Sequence, residues 1–111
     1  MKVKVTEDKL YPVFKKFMEI YFKKYEWRKD EFDSIWFIDP EGFGHLQLEK
    51  DKHLWIYRDI KENIRRYLPM EQSMLNSLMS KWVGETFQIE VISTHGFLFQ
   101  LNFGVGETFP L

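Results

Sequence analysis

The sequence predicts an α+β domain: an antiparallel sheet of about five strands, a three-stranded meander plus a C-terminal hairpin, with three helices in the order α-βββ-αα-ββ covering one face. Three observations predict it. Apolar residues recur at helical spacing in three stretches, they alternate with polar ones in five others, and Pro, Gly and Asp punctuate the boundaries. Composition adds a constraint on the core. Twenty of the 111 residues are Phe, Tyr or Trp and none is alanine or cysteine, although alanine is among the commonest residues of ordinary domains. The core therefore has to be tiled from large side chains, each burying about 150–250 Å² when enclosed.

The first helix is predicted from Asp8 to Tyr25. Thr6 or Asp8 caps it, Pro12 is tolerated near its start, and Leu10, Phe14, Phe17, Met18, Tyr21 and Tyr25 form its apolar stripe, widened by Val13, Ile20 and Phe22. A polar break at Asp30–Asp33 precedes the meander. Its strands are predicted at Ile35–Ile38, Phe43–Glu49 and His53–Tyr57, with a three-residue connection at Lys50-Asp51-Lys52. Asp39-Pro40-Glu41-Gly42 carries type I turn chemistry, Asp first, Pro second and Gly last.

Two helices follow. Asp59-Ile60-Lys61-Glu62 resembles a capping box, Ile60, Ile64, Tyr67 and Leu68 share one stripe, and Pro69 ends the segment. The next helix is predicted from Met70 to Val83, with Met74, Leu75, Leu78, Met79 and Trp82 on one face and Gly84 as a left-handed stop. The closing hairpin sets Phe87, Ile89 and Val91 against Phe97, Phe99, Leu101 and Phe103 around a Thr94-His95-Gly96 loop. Its apolar faces match if Phe87 opposes Phe103. The chain is read as one domain of residues 1–111, with a tail from Gly104 to Leu111 that is either loosely ordered or packed over an edge. Val83–Phe87 recurs verbatim as Val105–Phe109, but the flanks differ, and a five-residue match is too short to be a structural repeat.

The formal net charge of −1 argues against a generic nucleic-acid binder, which carries a basic excess. Without cysteine, thiol catalysis and thiolate metal sites are excluded. No apolar run reaches signal-peptide or membrane-span length, so an intracellular, cytoplasmic setting is expected, with no membrane partner. Lysine outnumbers arginine twelve to four, which with the missing alanine suggests an A/T-rich coding genome and a phage or mobile-element accessory protein.

No nucleophile-elbow, P-loop or dinucleotide motif occurs. The carboxylates Asp33, Asp39, Glu41, Glu49 and Asp51 have turn or surface roles, so no catalytic residue is assigned. His45 and His53 fall four positions apart on adjacent strands and His95 falls at a turn tip; no metal or cofactor is expected. Lys61, Arg65 and Arg66 offer possible phosphate contacts.

The meander holds the candidate site. With Glu49 opposite His53 and Ile35 opposite Leu46, one face gathers Ile35, Phe37, Leu46, Leu48, Leu54 and Ile56 as core. The other gathers Trp36, Ile38, Phe43, His45, Gln47, Glu49, His53, Trp55 and Tyr57, of which Trp36, Phe43, His45, Gln47, Trp55 and Tyr57 are the candidate binding residues. A mixed polar and aromatic sheet face suits partner binding, because Trp and Tyr supply contact area at low entropic cost, unless the C-terminal hairpin, a helix or the tail covers Trp36 and Trp55. A protein partner or self-association is the first expectation for this face. A single-stranded nucleic acid stacked on Trp36, Trp55 and Tyr57 is the alternative.

Overall fold

The computed structural model describes residues 6–104 and 108–111. The fold is α+β with three helices and one six-stranded mixed sheet. Helix α1 spans Glu7–Tyr21, and strands β1 to β4 span Glu26–Lys29, Ile35–Ile38, Gly44–Leu48 and His53–Tyr57. Helices α2 (Arg58–Tyr67) and α3 (Gln72–Phe87) precede β5 (Ser93–Phe97) and the two-residue β6 (Phe109–Pro110). Strand order is β5-β4-β3-β2-β1-β6.

Three hairpins joined by one kind of turn build the centre of the sheet. In each, an acidic residue opens a four-residue turn: Asp33 N–H donates to Asp30 O at 3.2 Å, Gly42 to Asp39 O at 3.0 Å, and Lys52 to Glu49 O at 2.9 Å. The fourth residue is left-handed every time, with φ of 64° at Asp33, 94° at Gly42 and 72° at Lys52. This is the three-residue hairpin loop, a type I turn followed by a left-handed residue. The turn expected at Asp39–Gly42 is therefore present, and its geometry recurs on both sides.

The inner face collects the predicted core. Phe37, Leu46, Leu48, Leu54 and Ile56 pack beneath Phe14, Met18 and Phe22 of α1, Ile60 and Ile64 of α2, and Leu75, Leu78, Met79, Trp82 and Val83 of α3. Aromatic rings fill what alanine-scale packing would leave open. Trp27 lies 4.6 Å from Phe37, 5.6 Å from Trp82 and 4.8 Å from Phe87, centroid to centroid. At the rim, Tyr11 donates to Glu85 at 2.6 Å. Burial and that hydrogen bond hold its phenol well above the ordinary tyrosine range.

Several expectations are corrected. The first helix stops at Tyr21 rather than Tyr25, because the chain turns and sends Tyr25 and Trp27 to the core at strand spacing. Strand β1 follows, and it was hidden by its length and its two basic residues. On α1, Val13 and Ile20 are exposed and only Phe22 of the widening residues is buried. Ile35 pairs with Leu48, two positions from the expected partner Leu46, which keeps Ile35, Phe37, Leu46 and Leu48 on the expected face, while a bulge between Phe37 and Ile38 sets Ile38 opposite Gly44. Glu49 does lie opposite His53, its N–H donating to His53 O at 2.9 Å.

Helix α3 runs through Gly84 to Phe87 and ends on Gln88, whose φ is 55°. Gly84 is there for space: a Cβ would meet the Ile89 carbonyl oxygen at 2.8 Å, where the chain folds back with Ile89 N–H donating to Gly84 O.

The largest correction is at the C-terminus, where the expected hairpin does not form. Phe87 ends α3, and Ile89 and Val91 pack on the core from an extended connection. Residues 93–97, including the supposed loop, form β5 and pair parallel with β4. The two helices supply the long crossover that a parallel pair needs. Of the proposed tail, Phe109–Pro110 pairs with β1, while residues 105–107, which include most of the second Val-Gly-Glu-Thr-Phe copy, lie outside the described residues. The first copy is the end of α3.

Candidate functional site: the outer face of the sheet

Strand registry lines up one row of side chains across the outer face. Arg28 pairs with Trp36, Trp36 with Gln47, Gln47 with Trp55, and Trp55 with His95. Period-two alternation places all five on the face away from the helices.

The turn acids hold two members of that row, Trp36 and Trp55, and His45 beside it. Asp30 Oδ1 accepts from the N–H groups of Phe32 and Ser34, and its Oδ2 accepts from the Trp36 indole at 2.8 Å. Asp39 repeats the pattern: Oδ1 accepts from Glu41 and Phe43, and Oδ2 lies 2.8 Å from His45 Nε2. Glu49 accepts from the Trp55 indole. In all three cases the acid grips the side chain six residues later, which is where a hairpin returns to the acid's level. These carboxylates are occupied as turn locks, orienting aromatic rings.

A strap of chain after β5 crosses the face. Gly44 N–H donates to Leu101 O and Phe103 N–H donates to Gly42 O, both at 3.0 Å, while Phe43 bridges Asn102. Phe103 sits 4.7 Å from Trp36, and Phe97 lies 5.4 Å from Tyr57. Trp36 is only 4% exposed beneath this cover, and Tyr57 is also buried. Gly44 is the floor under Trp36; a Cβ there would meet Trp36 Cε3 at 2.7 Å and Phe103 Cε2 at 3.1 Å. His45 is buried at the bulge between Phe37 and Ile38, between Tyr25 and Tyr57, with Gln100 3.3 Å from its Nε2. Burial beside Asp39 and Glu41 raises the Tyr25 phenol above its ordinary range.

Of the six candidate residues, Gln47 and Trp55 thus remain half-exposed on the open face, Phe43 is half-buried at the strap, and Trp36, His45 and Tyr57 are covered. Hollows flank the strap. One of about 720 Å³ is bordered by Phe32, Trp36, Leu101, Phe103 and Phe109. Another of about 330 Å³ is bordered by Trp55, Gln47, Glu49, Phe99 and Leu101.

The strap itself is the element that sequence reasoning missed. Leu98, Phe99 and Leu101 are exposed on it, with Phe32 and Phe109 exposed nearby, and Phe99 is 85% accessible. A signal was present: from Val91 to Gly106 no residue is charged, in a chain that is 30% charged. An alternating pattern inside that run was read as a hairpin core.

The basic candidates separate. Lys61 and Arg65 border a cleft of about 410 Å³ with Phe97 and Leu98, whereas Arg66 does not border it. Burial lowers the Lys61 pKa below the ordinary lysine value, and Arg65 donates to the Met70 carbonyl at 3.0 Å. Among the described residues no helix is long and apolar enough to cross a membrane, and no group of three or more His, Cys, Asp or Glu is placed to hold a metal ion. No family model matches the chain, and no curated protein or solved structure shows a significant match to it.

Proposed function

We propose that this chain is a non-enzymatic, cytoplasmic interaction protein that docks a protein partner on the outer sheet face and its strap. The observation that carries the reading is the group of exposed Phe99, Leu101, Phe32 and Phe109 beside half-open Trp55 and Gln47. Contiguous exposed apolar surface with a polar rim marks interaction sites, and aromatic anchors near the centre of a patch carry most of the binding energy. The turn duties of Asp30, Asp39 and Glu49 support the absence of acid–base chemistry, since each carboxylate is already engaged.

Stacked nucleic acid is less well supported. Trp36 and Tyr57 are covered, and one face of Trp55 is taken by His95, stacked at 4.6 Å. The carboxylates beside both indoles would also repel phosphate.

A photo-crosslinking residue at position 99, compared with one at Lys15 on the exposed side of α1, tests the reading in the source cell. The expected result is one discrete heavier protein adduct from position 99 and none from position 15. An intact Trp55→Ala protein should lose that adduct, because removing a central aromatic anchor costs about 2 kcal/mol or more of binding. Identical adducts from both positions, or only a nucleic-acid adduct, would overturn it.

A further inference from the structure

At the far corner of the outer face, the parallel pairing of β4 and β5 brings together three side chains that lie 40 and 42 residues apart. His53 is the direct cross-strand partner of Ser93, and His95 follows two positions along β5 on the same face. His53 Nδ1 lies 3.0 Å from His95 Nε2, Ser93 Oγ lies 2.9 Å from His95 Nε2, and Ser93 Oγ is closer still to His53 Nδ1. The three atoms form a triangle. A neutral imidazole nitrogen either donates or accepts, never both. At most two protons therefore bond productively inside the triangle, and its three contacts cannot all be ordinary, separate hydrogen bonds.

We infer that His53 Nδ1, His95 Nε2 and Ser93 Oγ form a facial site for one divalent cation of the zinc, copper(II) or nickel(II) class. Zinc takes imidazole nitrogen at about 2.0–2.1 Å, so the two histidines are the strong donors and the neutral Ser93 hydroxyl is a weaker third. Three atoms within about 3.6 Å of one another can share a point about 2.1 Å from each, and all three separations here meet that condition. Two imidazoles in a chain without thiols select the borderline ions over magnesium or calcium. Two further features fit a metal centre. The other nitrogen of His53, Nε2, lies 3.8 Å from Asp51 Oδ2, beyond hydrogen-bond reach but close enough for the carboxylate to favour a cation nearby. His95 is held in place by its stack on Trp55, at 4.6 Å and 28°. Partial exposure of His53, Ser93 and His95 leaves room for water to complete the coordination. Bound there, the ion staples β5 to β4 and so anchors the start of the strap.

Titration calorimetry with zinc chloride and electron paramagnetic resonance with copper(II) test the site. The expected result is one ion per chain, a copper spectrum showing two imidazole nitrogens, and a rise in Tm that chelator reverses. His95→Ala should weaken zinc binding by about 100-fold and abolish the rise in Tm. Failure of the wild-type protein to bind either ion overturns the site. So does a copper spectrum with a single imidazole, or unchanged zinc affinity in folded His95→Ala. If His95→Ala does not fold, the nitrogen count on the wild-type protein decides.

Discussion

The two faces of this sheet are built from the same kinds of residue and covered by different means. On the inner face Leu46, Leu54 and Ile56 have no solvent exposure, because three helices lie over them. On the outer face Trp36 and Tyr57 are buried under one strap of irregular chain, while Trp55 and Gln47 beside them stay half-open. Strand alternation divides the residues between faces and does not say what covers either one. A helix presents a regular stripe that seals a whole face, whereas a single strap seals only the row it crosses. The rings it misses, and the rings it carries, are left for another molecule.

The widest gap between the faces is expected in core truncation. Phe14 of α1 is fully buried over the inner face. Phe14→Ala should cost about 3–5 kcal/mol in urea unfolding. Phe99, on the strap, is 85% exposed, and Phe99→Ala should change stability by no more than about 0.5 kcal/mol. A Phe99→Ala protein destabilised as much as Phe14→Ala would mean that the strap is core, and the contrast between the faces would disappear.

A smaller effect probes the seat of the strap. Trp36 and Phe103 both press on Gly44, where a Cβ would come within 2.7 and 3.1 Å of their rings. Gly44→Ala should therefore push the Trp36 ring outward and loosen the strap, at a cost of about 1–3 kcal/mol for overpacking. Tryptophan fluorescence should move to the red and iodide quenching should rise. A mutant with unchanged emission and stability would show that the strap does not depend on that contact.

Much of the inner face was legible from residues alone, because it depends on local rules. Ile35, Phe37, Leu46, Leu48, Leu54 and Ile56 fall on one side through period two, and even a register error of two positions preserves that side. The Asp39–Gly42 turn was legible from its chemistry and the three-residue Lys50–Lys52 connection from its length, but the type of turn at Asp30–Asp33 and Glu49–Lys52 was not. There the left-handed position carries Asp33 and Lys52 in place of glycine. The outer face resisted reading because its cover is non-local. Nothing near His95 says that it will lie beside His53, since a parallel pair is set by where two helices return the chain. Phe103 does turn inward, but onto Trp36 rather than Phe87, and Phe97 packs on Tyr57.

The repeated turn allows the smallest and cleanest comparison. Gly42 occupies the left-handed position without penalty, while Lys52 holds φ 72° with a full side chain. An L-residue in that region costs roughly 1–2 kcal/mol. Replacing it with glycine also frees the unfolded chain, which takes back about 0.4–1 kcal/mol. Lys52→Gly should therefore stabilise the protein by about 0.5–1 kcal/mol. Asp33→Gly should stabilise it less, because Asp33 accepts an ion pair from Lys29 at 2.7 Å, which holds its carboxyl below the ordinary range, and glycine removes that contact. Urea midpoints for the two variants measure the difference. If both gain equally, the Lys29–Asp33 pair contributes nothing, as many exposed pairs do. If Lys52→Gly loses stability, the third hairpin is held by its lysine side chain rather than by the backbone turn it shares with the other two.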